Sequence, residues 1–181
     1  MENFPYIDKL AIIKDYHMTE SDANFWNVFH DGYLIDITGK VPGKISLKIK
    51  IEYIRKKFKP EGKSFILVLK NCSLLYFLKD GKTIKNPKEI LESEPIISSA
   101  SIINDGQLKI KCVAGSIYLD YDELEIFLDN GNKITQNEIE DACYEYWKNF
   151  KGLPPLSCLL VSIVVILIFL SIIIFICECF K

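Results

Sequence analysis

His30 and Asp31, followed by Gly32, form the most conspicuous pairing of a titratable base with a carboxylate in this chain. A histidine oriented by an aspartate activates a thiol nucleophile in many hydrolases, and Cys72 or Cys112 would supply that thiol here. Adjacent residues on a strand point to opposite faces, so in an extended segment His30 and Asp31 are poorly placed to hydrogen-bond one another. The reading the residues favour is a turn, in which Asp31 and Gly32 shape the backbone and His30 packs near Trp26.

Other chemistry is thinly represented. The chain has two histidines, His17 and His30, neither near a cysteine nor in a His-Glu-x-x-His setting, so no metal site is expected. Asp120, Asp122, Glu123 and Glu125 form an acidic run without the Asp-x-Asp-x-Asp-Gly spacing of a calcium loop, and a solvated strand edge is the expectation. Glycine-rich phosphate-binding signatures are lacking, and no cofactor is expected. With 22 basic against 24 acidic residues and a net charge of −2, nothing favours a nucleic-acid partner.

Lys44, Lys48, Lys50, Arg55, Lys56, Lys57, Lys59 and Lys63 make a local basic excess. It reads either as a solubilising face that blunts edge-to-edge pairing, or as a patch for anionic lipid headgroups, each charge contributing about 1 kcal/mol there. Of six cysteines, Cys72, Cys112 and Cys143 are spaced widely, without a Cys-x-x-Cys pair, as expected of small core side chains in a reducing compartment.

The elements that must position these groups follow from periodicity. Thr19 with Asp22 resembles a helix start, and a short helix would carry Phe25, Trp26 and Phe29. Tyr33 to Thr38 reads as a strand, and Gly39 to Gly43 as a turn. Ile45 to Glu52 alternates apolar with polar residues throughout, the mark of a half-buried strand. Ser64 to Leu69 is more continuously apolar and suits a central strand, and Ser73 to Leu78 is a further one, closed by Asp80-Gly81. Asn86-Pro87 begins a short helix.

Ile96 to Asn104 and Leu108 to Val113 flank Asp105-Gly106, a dipeptide suited to a type I′ hairpin turn. Ile117 to Leu119 and Leu124 to Leu128 add strand material. Thr135 to Glu138 is a capping box opening a helix whose stripe is Ile139, Ala142, Cys143, Tyr146 and Phe150. The fold class expected is α+β: about seven or eight mostly antiparallel strands, as a sandwich or a strongly curled sheet, with a C-terminal packing helix.

The hydrophobicity concentrates in the run from Leu156 to Cys177, which contains Leu160, Val165, Phe169 and Ile173 and no charged residue. A bilayer core takes about 20 apolar residues in a helix, so this run is expected to span a membrane; a buried core helix is the competing reading. The opening residues carry no basic-then-apolar signal sequence, and Lys148 and Lys151 precede the run. The expected organisation is an N-terminal segment 1–18, a cytosolic β-rich domain 19–151, a linker 152–155, the membrane helix 156–177 and a short tail 178–181. Trp147 is a candidate interfacial anchor, while Cys177 and Cys179 are either ordinary anchor residues or acylation sites.

The order Phe25-Trp26, Phe29-His30-Asp31-Gly32, Glu52-Tyr53-Ile54-Arg55, Gly62, Phe65, Asn71-Cys72 and Leu128-Asp129-Asn130-Gly131, then Tyr146-Trp147, resembles a group of small β-rich bacterial proteins of the toxin-immunity type. The resemblance spans most of residues 20–150 and implies a binding partner rather than a reaction; no catalytic residues come with it, and the hydrophobic tail departs from the group. The function expected is therefore a C-terminally anchored single-pass membrane protein whose cytosolic domain binds a protein partner without catalysis, with binding candidates His30, Asp31 and Trp147. The alternatives are a small membrane-bound hydrolase using His30 with Cys72 or Cys112, and a membrane-surface scaffold with the basic segment facing lipid.

Overall fold

A computed structural model describes residues 18–103 and 106–150. The first helix, α1 (Glu20–Asn27), starts where the sequence says it should: Thr19 and Asp22 form a reciprocal capping box. It buries Ala23, Phe25 and Trp26, and Phe29 follows into the same core, each large apolar side chain contributing about 1.5–3 kcal/mol.

Two antiparallel sheets follow. The first contains β1 (Tyr33–Gly39), β2 (Gly43–Lys50), β3 (Ser64–Cys72), β9 (Glu123–Leu128) and β10 (Lys133–Ile134), in the order β1-β2-β3-β9-β10. The second contains β4 (Leu74–Lys79), β5 (Lys82–Ile84), β6 (Ile97–Ile102), β7 (Leu108–Cys112) and β8 (Gly115–Asp120), in the order β5-β4-β8-β7-β6. The continuous apolar run Ser64 to Leu69 is indeed central, paired with β2 on one side and β9 on the other. Alternation in β2 places Ile45, Leu47 and Ile49 inside, where they share one core with Phe77, Leu108 and Leu119 of the second sheet.

The sheets are also stitched edge to edge at one corner. Tyr33 bridges Ile96, Leu34 N–H donates to the Pro95 carbonyl, and Ile97 exchanges bonds with Asp31 N–H and the Gly32 carbonyl. β1 and β6 are thus joined at their starts, and the described residues hold ten strands in two antiparallel sheets, against the seven or eight expected.

Several details depart from the periodicity. The strand expected to run to Glu52 ends at Lys50, and α2 (Glu52–Arg55) begins immediately after it. The turn at Asp80-Gly81 leads into β5, and the one at Asn130-Gly131 into β10; these strands are too short to leave an alternating signature. The short helix after Asn86 is α3 (Pro87–Glu92), with the Asn86 side chain accepting from Lys88 N–H. Of the expected hairpin turn, Asn104 and Asp105 lie outside the described residues, while β6 and β7 pair on either side as anticipated.

The last helix, α4 (Gln136–Phe150), opens on the expected capping box, with Glu138 accepting from both the Thr135 backbone and hydroxyl. Ile139 is fully buried, and Ala142 and Cys143 pack against the core. The first compact unit ends at Cys143, and residues 144–150 are described separately. No helix among the described residues is long and apolar enough to cross a membrane. The linker 152–155 and the anchor positions Leu156, Leu160, Val165, Phe169, Ile173 and Cys177 lie outside the described residues, as does Cys179.

Candidate functional site

His30 and Asp31 sit in the turn that joins α1 to the stitched corner, not on a strand. Asp31 takes φ of 63°, a left-handed conformation that Asp tolerates better than most residues. Its N–H reaches the Ile97 carbonyl at 2.8 Å, so this turn backbone itself completes the edge of β6. His30 Nδ1 lies 2.7 Å from the Ser98 carbonyl oxygen. A carbonyl only accepts, so Nδ1 carries the hydrogen in this arrangement. The other ring nitrogen, Nε2, is 3.6 Å from Asp31 Oδ1, and both side chains are about half exposed, 48% and 64%. That distance exceeds a hydrogen bond.

Asn27 extends the same cover. Its side-chain carbonyl accepts from Ala100 N–H at 2.7 Å, and its amide reaches the Ala100 carbonyl at 3.4 Å. A run of residues from Asn27 to Gly32 therefore occupies the hydrogen-bonding groups that β6 would otherwise offer to another strand. Tyr53 of α2 donates its hydroxyl to the His30 carbonyl at 2.6 Å, tying α2 to this corner. Next to it, Tyr33 and Ile35 stand 47% and 44% exposed, although both belong to a strand whose neighbours Leu34 and Ile37 are buried.

The thiols suggested as partners for His30 are positioned differently. Cys72 is fully buried and donates to the Leu74 carbonyl, while burial pushes the Cys112 thiol up to about 12. A thiol so raised stays protonated at neutral pH and lacks nucleophilic character in this conformation. Among the described residues no group of His, Cys, Asp and Glu is arranged to hold a metal ion.

The basic segment is not one surface. Arg55, counted with it by sequence, is completely buried and ion-paired with Asp129. Around it, Lys50 and Lys56 lie near Glu52, and Lys59 near Glu61, as exposed pairs. The acidic run likewise resolves into a face rather than an edge: Glu123 and Glu125 approach Lys70 from β9, and Lys133 closes on Glu125 at 2.7 Å. Ser73, just after β3, donates its hydroxyl to Asp120 at the end of β8.

Compared with models of protein families, with curated proteins and with solved structures, the chain matches none.

The residues whose roles the sequence does not reveal are Asn27, Tyr53, Arg55 and Asp129. Arg55 is hidden among seven lysines, and Asp129 within an Asp-Asn-Gly turn signal. The one available hint was position: Arg55 follows Ile51 and Ile54 at helical spacing, which puts it on the buried side of α2. Trp147 packs edge-to-face with Tyr146 at 5.3 Å on the final described turn of α4, beside Lys148.

Proposed function

We propose that this protein is a membrane-tethered binding module: the run from Leu156 to Cys177 spans a bilayer, and the corner formed by His30, Asp31, Tyr33 and Ile35 contacts a protein partner. The observation that carries the reading is the exposure of Tyr33 and Ile35 beside a half-exposed His30 and Asp31, on a backbone held rigidly by bonds to β6. Aromatic and aliphatic anchors within a polar rim, on a scaffold that does not have to be ordered on binding, are the composition of protein interfaces. The uncharged length of residues 156–177 supports the tether, and attachment to a surface raises the local concentration of the module for a partner arriving there. The resemblance to immunity-type proteins supports a toxin protein as that partner.

Two measurements test this. Carbonate washing of membranes should leave the full-length chain in the pellet; release into the supernatant removes the tether. A photo-crosslinking amino acid at Tyr33 or Ile35 should capture one protein in the native host, and Ile35→Asp combined with Tyr33→Asp should abolish capture from a nearby reporter position. Equal labelling of many proteins, or none, overturns the interface.

A further inference from the structure

A concave feature lies at the opposite end of β1 from that corner, where the β1–β2 turn meets the start of β4 and the approach to α3. Its volume is about 380 Å³, at the small end of the range for small-molecule sites. Ile45 and Leu75 are buried in its floor, and Val41 and Leu74 line it while still partly exposed. Lys40 and Lys85 stand exposed among its lining residues, brought together from segments separated by β2 to β5.

Neither of these lysines is neutralised by a neighbouring carboxylate, unlike six others among the described residues. Lys50, Lys56, Lys59, Lys70, Lys133 and Lys148 each lie within ion-pair distance of a glutamate, whereas Lys40 and Lys85 have no carboxylate partner among the described residues. The wall carrying Lys40 is also built to stay in place. Lys40 N–H bonds to the Lys44 carbonyl at 3.2 Å, and Gly39, at φ of 104°, leaves no room for a side chain, since a Cβ would fall 2.1 Å from the Lys44 oxygen.

We infer that this groove binds a small amphipathic anion, an oxyacid head on an apolar body, with the head between Lys40 and Lys85 and the body against Val41, Leu74 and Leu75. Charge complementarity selects the head: two unpaired ammonium groups above an apolar floor disfavour a cation and gain nothing from a neutral polar group. The floor selects the body, because its partly exposed aliphatic surface is removed from water only by an apolar group. A carboxylate and a phosphate share this chemistry, and the groove does not depend on the partner-binding corner.

The test is equilibrium dialysis of the full-length chain in zwitterionic lipid nanodiscs, or in buffer if it proves soluble without lipid, against labelled hexanoate, hexyl phosphate and 1-hexanol, with empty nanodiscs subtracted. At least one anion should bind saturably at one site per chain and at least tenfold more tightly than hexanol; which anion does so identifies the head. Lys40→Gln with Lys85→Gln should weaken that anion at least tenfold, Leu74→Trp should block it by filling the groove, and Lys57→Gln, at an exposed lysine elsewhere, should leave it unchanged. Thermal midpoints report whether each variant is folded, and Lys40→Gln and Lys85→Gln, being surface changes, keep the test valid if Leu74→Trp is not. Absence of saturable binding by both anions, equal binding of hexanol, or indifference to the double lysine change overturns the inference.

Discussion

Arg55 and Asp129, 74 residues apart in sequence, meet in a two-pronged contact in which Nε and Nη2 of the guanidinium both donate to Oδ1 of the carboxylate. Nη1 of the guanidinium and the second carboxylate oxygen are used as well. Arg55 Nη1 reaches the carbonyls of Phe58 and Pro60, and Asp129 Oδ2 accepts from the backbone of Lys63 and Ser64. One pair thereby fixes the loop between α2 and β3 to the end of β9, and satisfies loop carbonyls and N–H groups that would otherwise be desolvated.

Breaking this pair from one side leaves a buried charge without its partner. Arg55→Met and Asp129→Leu are each expected to destabilise the chain by about 3–5 kcal/mol, and the double variant by markedly less than the sum. Denaturant unfolding of the full-length chain, followed by Trp26 fluorescence, measures the cycle. Additive losses would mean the two side chains act independently.

The same pair gives stability a defined dependence on acid. Burial raises the Asp129 carboxyl, but the N–H groups of Lys63 and Ser64 and the Arg55 guanidinium outweigh it and hold the group below its ordinary value. A carboxyl depressed on folding contributes stability that is complete above the unfolded value of about 3.9 and is lost as the pH falls from there through the lower folded value. Asp129→Asn should therefore flatten the loss of stability below about pH 4 relative to the unsubstituted chain. Parallel acid curves would contradict this.

Gly62 is the point where the loop passes the pair. A Cβ there would lie 2.3 Å from Asp129 Oδ1 and 2.6 Å from Arg55 Nη2. Gly62→Ala is expected to lower stability by about 1–3 kcal/mol in the Arg55–Asp129 background, and by less in an Arg55→Met, Asp129→Ala double variant, where the crowding atoms are gone. Thermal or denaturant midpoints of the four chains decide it.

The thiols make a separate prediction. In the folded chain Cys112 and Cys72 should resist iodoacetamide at pH 8 and react only on unfolding, because one is held protonated by its surroundings and both are buried. Peptide-level mass spectrometry distinguishes them from the other cysteines. Rapid native labelling of either would revive the thiol-hydrolase reading with His30.

Asn27 protects the edge of β6 through two bonds to Ala100. Asn27→Ala uncovers those backbone groups, and the expected result is increased self-association at unchanged core packing, read by light scattering at rising concentration. Unchanged association would show that the His30–Gly32 segment shields the edge unaided.

Local patterning was sufficient for the elements. The alternation of Ile45, Leu47 and Ile49, the capping residues Thr19 and Thr135, and the turn residues at Asp80 and Asn130 act through neighbours a few positions away, so the chain states them directly. The class of fold and the inward face of most strands follow. What no local pattern carries is which distant groups become neighbours. Arg55 has the same composition signal as Lys56 and Lys57, yet only the packing of α2 against the end of β9 takes it out of water and supplies a carboxylate. Likewise His30 and Asp31 read as a catalytic pair or a turn until the closure of β1 onto β6 brings Ser98 to the imidazole, and Lys40 and Lys85 share a groove only because two sheets stack. Sequence determines the elements because their energetics are short-range; tertiary structure decides the sites because burial and charge pairing depend on residues that the chain itself keeps far apart.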